Sequence, residues 1–219
     1  MISYEDIRSN KDIRVYIEEA DASLNELGYT EHSFAHTTLA AETAGRILSA
    51  VGADEHTVEL AKIAGFMHDI GNIVNREEHS QSGALMAFRI LDNLGMPPKD
   101  IATIVTAIGN HDEGTGVPVN QVSAALILAD KTDVRRSRVR NSDFSRFDIH
   151  DRVNFSVESS RLDISKEQKT ITLSLTIDTS ISSIMDYFEI FLQRMQMCRR
   201  SADRLGLQFR LSINGQSFI

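Results

Sequence analysis

Cysteine is nearly absent from this sequence. Cys198 is the single thiol, which excludes an intramolecular disulfide framework and a cysteine-rich zinc module and points to a reducing, cytoplasmic setting. Positive charge is also short: 23 Lys and Arg stand against 31 Asp and Glu, a net charge of -8. That balance excludes a general coat for nucleic-acid polymers, yet a local basic patch could still hold a small phosphorylated ligand. No apolar run reaches the roughly 20 residues that span a bilayer, so no membrane partner is expected. The opening MISYEDIRSNKDIR is polar and mixed in charge, unlike a signal or transit peptide. Internal repeats and low-complexity segments are missing too. The Gly-rich HDEGTGVP at 111–118 lacks the Gly-Lys-Ser/Thr ending of a phosphate-cradling loop.

What is present suffices for a sizeable core, since 42% of the residues are hydrophobic. Residues 1 to about 140 read as helices with short connections. One runs from Ser33 to Ala50 before Gly52; Asp54 caps the next, which closes at Gly71. Further helices are expected from His79 to Leu94, from Asp100 to Asn110 and from Val122 to Val139. The pattern then changes to period two. Val153, Phe155 and Val157 predict a strand, as do Ile171, Leu173, Leu175 and Ile177, and later Phe209, Leu211 and Ile213. Between them, Ile184, Phe188, Phe191, Met195, Cys198, Ala202 and Leu205 recur at helical spacing. The expected architecture is mainly α: a helical domain over 1–148, with a small β-β-α-β domain over 149–219.

Ionisable residues interrupt the apolar runs. His36 lies within SFAHTTLAAETAGRIL, His68 and Asp69 close VELAKIAGFM, and His111 ends IATIVTAIGN. His79 opens its helix, with Gly83 one turn along leaving space above the ring. Asp130 breaks VSAALILA, where an unpaired carboxylate would be costly. Taken singly, each histidine is more often a core or surface residue than a ligand. Together with the two carboxylates they suit a metal, because neutral imidazole and carboxylate bind iron, manganese, cobalt, nickel or zinc. His36, His68, Asp69, His79, His111 and Asp130 exceed the needs of one ion, so two divalent ions sharing Asp69 are expected. His32, four residues before His36, and Asp112 read as surface residues, with an extension of the metal site as the alternative.

The order His36, His68-Asp69, Asp130, with HDIG at 68–71, resembles the HD-domain superfamily of metal-dependent phosphohydrolases. The added His79 and His111 are similar to its two-metal branch, which includes symmetric diadenosine tetraphosphate hydrolases and HD-GYP cyclic dinucleotide phosphodiesterases. Asn72 after HDIG, Asp112 after His111 and the short GTGVP loop differ from the HD-GYP pattern. The resemblance implies a helical bundle over about 30–140 and two metals, with iron or manganese preferred. His36, His68 and Asp130 would hold one ion, His79 and His111 the other, and Asp69 both. It also implies hydrolysis of a phosphoester or phosphoanhydride, with a nucleotide or dinucleotide as substrate and Asp69 and His68 central to catalysis. A di-iron oxygenase and a non-catalytic signalling module on the same scaffold are the alternatives.

Such a substrate needs cations. KTDVRRSRVR at 131–140 supplies them, and on a helix continuing from Asp130 it carries Arg138 back toward the metals, with Arg135 and Lys131 about a third of a turn away. The tail shows no catalytic cluster. Its sheet needs cover, from the helical domain or from a second copy in a homodimer.

Overall fold

The computed structural model describes residues 2–141 and 143–219. Each early helix begins where a side chain can satisfy its free N–H groups. Ser3 caps α1 (Tyr4–Ser9), Asn10 caps α2 (Lys11–Glu26), Ser33 caps α3 (Phe34–Val51) and Asp54 caps α4 (Glu55–Met67). α3 stops at Gly52, whose φ of 85° is left-handed. After α4 the chain tightens into a 3-10 turn, Ile70–Ile73, and then forms α5 (His79–Asn93). α6 (Pro98–Gly109) starts with proline in its first turn. Asn120 caps α7 (Gln121–Lys131).

α7 is the centre of the molecule. Every residue from Val122 to Lys131 is buried, as expected of a helix packed on all sides. α3, α4 and α6 surround it, and a long C-terminal helix, α9 (Ile184–Arg204), closes the remaining face. Close approach of α3 and α4 depends on Gly65: a Cβ there would stand 2.7 Å from the Ala41 Cα.

Two stretches differ from the sequence reading. The helix expected to reach Val139 ends at Lys131, and the chain turns away at Thr132 before a short 3-10 turn, Arg136–Arg138. Of the strand expected over Val153–Val157, residues 153–156 end a helix, α8 (Ile149–Ser156), and only Val157 enters a strand. Asp148 starts it by accepting from the Asp151 N–H. Phe155 does not alternate into a sheet; it packs on Phe144 and Phe147.

β1 (Val157–Ser165) follows α8 directly and pairs antiparallel with β2 (Thr170–Ile177). α9 crosses over to β3 (Gln208–Ile213), which lies parallel to β2, and a short β4 (Gln216–Ser217) completes the order β1-β2-β3-β4. One apolar cluster runs from Ile7 through Ala125 to Leu211, so the core continues across residues 148 and 149. α9 packs on β3 and on α7, so the helical region covers this helix.

Candidate metal centre

Six ionisable side chains meet where the helices around α7 end. His36 comes from the first turn of α3, His68 from the C-cap of α4, and Asp69 from the following residue. His79 opens α5, His111 follows α6, and Asp130 is next to last in α7. All are buried, with His36 and His68 wholly so and Asp69 5% exposed. Helix ends favour such a gathering, because the backbone turns away there and a side chain can point inward without breaking an apolar face.

Gly71 makes the convergence possible. A Cβ at this position would lie 2.0 Å from the His79 carbonyl oxygen, so only glycine lets the turn after Asp69 touch the start of α5. Gly83 serves the same approach from the other side, with Gly71 N 3.2 Å from where its Cβ would be. Its lack of a side chain therefore makes room for the 68–71 backbone, where the sequence suggested room above the His79 ring.

The rings are aimed by their far nitrogens. His68, His79 and His111 donate from Nδ1 to the carbonyls of Gly65, Arg76 and Ile108, at 2.8, 3.0 and 2.6 Å. His36 donates from Nδ1 to Asp133 Oδ2 at 2.7 Å. Each Nε2 is thus directed at the cluster, the arrangement in which imidazole ligands are held by an outer partner. The Nε2 atoms of His36 and His68 stand 3.2 Å apart, and those of His79 and His111 3.1 Å. Asp130 Oδ1 lies 3.3 Å from His36 Nε2 and 3.7 Å from His68 Nε2. Donors about 2.1 Å from a shared cation stand roughly 3.0–3.4 Å apart in a tetrahedral or octahedral shell. The spacing and the imidazole–carboxylate chemistry therefore fit a divalent transition metal.

Electrostatics points the same way. Burial alone would lower the pKa of His36 and His68. Asp69 and Asp130, with Asp133 on His36, outweigh it, raising His36 to about 9 and His68 to about 10. Burial would raise Asp69 and Asp130, yet His68 beside the first and Lys131 beside the second hold both well below the usual carboxylate range. Burial lowers His79 and, further, His111. The carboxylates demand buried positive charge, which protons or a cation can provide, and the other imidazoles stay neutral and able to coordinate.

A cleft of about 430 Å³ opens onto Asp69, Asp130, His79 and His111. His32 lines it as well, with its ring 5.6 Å from that of His36, so it is a cleft residue and not the surface residue expected. Asp112 Oδ1 stands 4.0 Å from His79 Nε2. Of the cations expected near the metals, Lys131 and Arg138 line the cleft and Arg135 does not. Arg135 instead binds Asp133, Nε to Oδ1 at 2.5 Å. The helical face meant to align these three does not exist, because the chain leaves α7 at Thr132.

Sequence reasoning missed Asp133 as the partner of His36, and Arg76 and Arg194 as cleft residues. Asp133 follows Asp130 by three residues within the same charged run, which was its available signal. Arg194 and Phe191 bring α9 into the cleft wall, and helical spacing alone gives no hint of that.

Among known proteins, the chain is 23% identical over 199 aligned residues to the uncharacterized protein MJ1020 of Methanocaldococcus jannaschii, covering 80% of this chain and 75% of that one. A solved structure described as a predicted HD superfamily hydrolase, from an uncultured Thermotogales bacterium, has 25% identity and a TM-score of 0.44. The similarity covers 57% of this chain and 68% of that one. The HD domain matches residues 29–151, more than half of the sequence and the span that holds all six clustered side chains. The chain belongs to the HD domain family.

Proposed function

We propose that this protein hydrolyses a phosphoester or phosphoanhydride bond at a two-metal centre, with a nucleotide or dinucleotide as substrate. One observation carries the reading. Asp69 Oδ2 lies 3.1 Å from His68 Nε2 and 3.5 Å from His36 Nε2, while Oδ1 lies 3.5 Å from His79 Nε2 and 3.9 Å from His111 Nε2. The two oxygens of one carboxylate thus face separate histidine pairs, as a bridging ligand must. Asp130 joins the His36 and His68 side.

Divalent cations in such a ligand set polarise phosphoryl oxygens and acidify water. The chain does the rest. Asp133 and three backbone carbonyls fix the imidazole orientations. Lys131 Nζ, 2.8 Å from Asp130 Oδ2, is kept charged: burial opposes its proton, but Asp130 and Glu113 raise its pKa. The cleft offers cations together with the rings of Tyr29 and Phe191, a volume and mixture suited to a small phosphorylated ligand.

The test is Asp69→Ala. Elemental analysis should find both metals lost, and release of phosphate or nucleotide from a panel of nucleotides, dinucleoside polyphosphates and bis(p-nitrophenyl) phosphate should fall to background. Full metal content in the variant would rule out the bridge. A wild-type protein that hydrolyses nothing in the panel would rule out the activity.

A further inference from the structure

Arg76, Lys131, Arg138 and Arg194 line the cleft, and an anionic substrate must be met by at least one of them. Three are already committed to carboxylates. Lys131 Nζ lies 2.8 Å from Asp130, 3.5 Å from Glu113 and 3.9 Å from Asp112. Arg194 Nε lies 2.5 Å from Glu113 Oε1. Arg138 is buried, donates to the carbonyls of Glu31 and Asp133 at 2.9 and 3.0 Å, and sits 3.8 Å from Asp133 Oδ2. Turning Arg138 toward a ligand would break two hydrogen bonds, the one to Asp133 buried, and leave their carbonyls without that donor.

Arg76 is different. Among the described residues no carboxylate lies within ion-pair distance of it. Its Nη1 donates to Asn72 Oδ1 at 3.2 Å and lies 3.5 Å from His79 Nε2. Neither neighbour neutralises the guanidinium. Its other face lies over the Tyr29 ring, 5.7 Å from the centroid. Asn72 in turn donates from Nδ2 to Asp69 Oδ1 at 3.0 Å and to the Asp69 carbonyl at 2.9 Å. The backbone secures the placement, because the Arg76 carbonyl accepts from His79 Nδ1 and Glu78 turns the chain with φ 54°. The guanidinium is therefore tied on one edge to the Asp69 turn, while Nε and Nη2 have no protein partner among the described residues.

We infer that Arg76 binds the phosphoryl oxygens of the substrate beside Asp69, using the fork of Nε and Nη2. Guanidinium suits this role because its planar donors match two oxygens of one phosphoryl group, and a charge without a carboxylate partner beside a cleft attracts an anion. Lys131, Arg138 and Arg194 are then the framework that positions acidic groups and holds the walls. The inference rests on the phosphohydrolase reading and names the residue that meets the phosphate.

Orthophosphate is the probe, titrated calorimetrically into the metal-loaded full chain. Arg76→Gln keeps a donor for Asn72 and removes the charge; Arg76→Lys restores charge without the fork. With metal content and melting temperature unchanged, Arg76→Gln should weaken phosphate binding by at least about tenfold, and Arg76→Lys should recover only part of the loss. Wild-type affinity in Arg76→Gln would overturn the inference. So would metal loss in Arg76→Gln, which would make Arg76 a support for Asp69 and His79. A wild-type protein that binds metal but neither phosphate nor any phosphoester would instead remove the phosphohydrolase reading itself.

Discussion

Around Asp69 the protein buries charge, while the buried face of α9 carries none. The metal-centre side gathers His36, His68, Asp69, His79, His111 and Asp130 from the ends of α3 to α7, each at most 9% exposed. The buried residues of α9 are Tyr187, Phe191, Met195, Met197, Cys198, Ser201 and Ala202, apolar but for one hydroxyl, the Tyr187 phenol and a thiol. Both lie against α7, so one helix is shared by a polar cluster at its end and an apolar seam along its side. Buried charge is unstable without a compensating cation or partner, whereas the apolar seam is stabilising by itself. The seam therefore supports the strain of collecting carboxylates at one place. It also reaches the cleft, through Phe191 and Arg194.

Cutting the seam should have the largest effect. A chain ending at Asn141 exposes the face of α7 that α9 covers and removes much of a continuous core. Truncating even one buried aromatic such as Phe191 to alanine costs about 3–5 kcal/mol, against a typical total stability of about 5–15 kcal/mol. The truncated chain should lose its cooperative thermal transition and bind no metal. A soluble fragment with a sharp transition and full metal content would show that the helical region stands alone, and the comparison would fail.

The same contrast explains what could be read from the sequence. The six clustered residues were legible because ionisable groups interrupt, open or end apolar runs there, in an order that resembles the HD-domain pattern. His36 to His111 could be paired with Asp130 without knowing any distance. The apolar seam was legible too, since Phe191, Met195, Cys198 and Ala202 recur at helical spacing. The loops were not. Nothing in KTDVRRSRVR announces that the helix ends at Lys131, because lysine and arginine favour helix, while the turn is held by local bonds at 130–134 and by Arg138 on the carbonyls of Glu31 and Asp133. At 153–157 three alternating apolar residues fit a strand as well as a short helix. The Asp148 cap, with Asp151 three residues on, was the signal that should have decided it.

A smaller effect should sharpen the polar side. Asp133 does not itself line the cleft, yet it accepts from His36 Nδ1 and is held well below the usual carboxylate range, burial being outweighed by His36 and Arg135. Asp133→Asn keeps the shape and can still accept through its amide oxygen, but it withdraws the negative charge behind the ring. Outer partners of this kind change metal affinity about 10–100-fold. For the two ions proposed above, titration with manganese should show weaker binding of one with the other little affected, because Asp133 contacts only His36 in the cluster. Equal weakening of both, or none, would show that Asp133 does not act through His36.

The smallest expected effect tests the apolar side, through Cys198. Burial pushes its thiol up to about 12, against about 8.5 for an exposed cysteine. The sign follows from which state holds the proton more tightly. The folded thiol does, so its contribution to stability is complete below pH about 8.5 and is lost as pH rises toward about 12, at no more than about 1.4 kcal/mol per pH unit. At pH 8.5 burial leaves a far smaller share of the native thiol ionised than of the unfolded chain's, before any steric exclusion. Iodoacetamide should therefore leave the native protein unlabelled over hours and label the denatured protein within minutes, as read by mass spectrometry. Rapid labelling of the native protein would mean that α9 lifts from α7 often enough to expose Cys198. The seam would then be a mobile cover over the cleft wall, and the stabilising role assigned to it would fall.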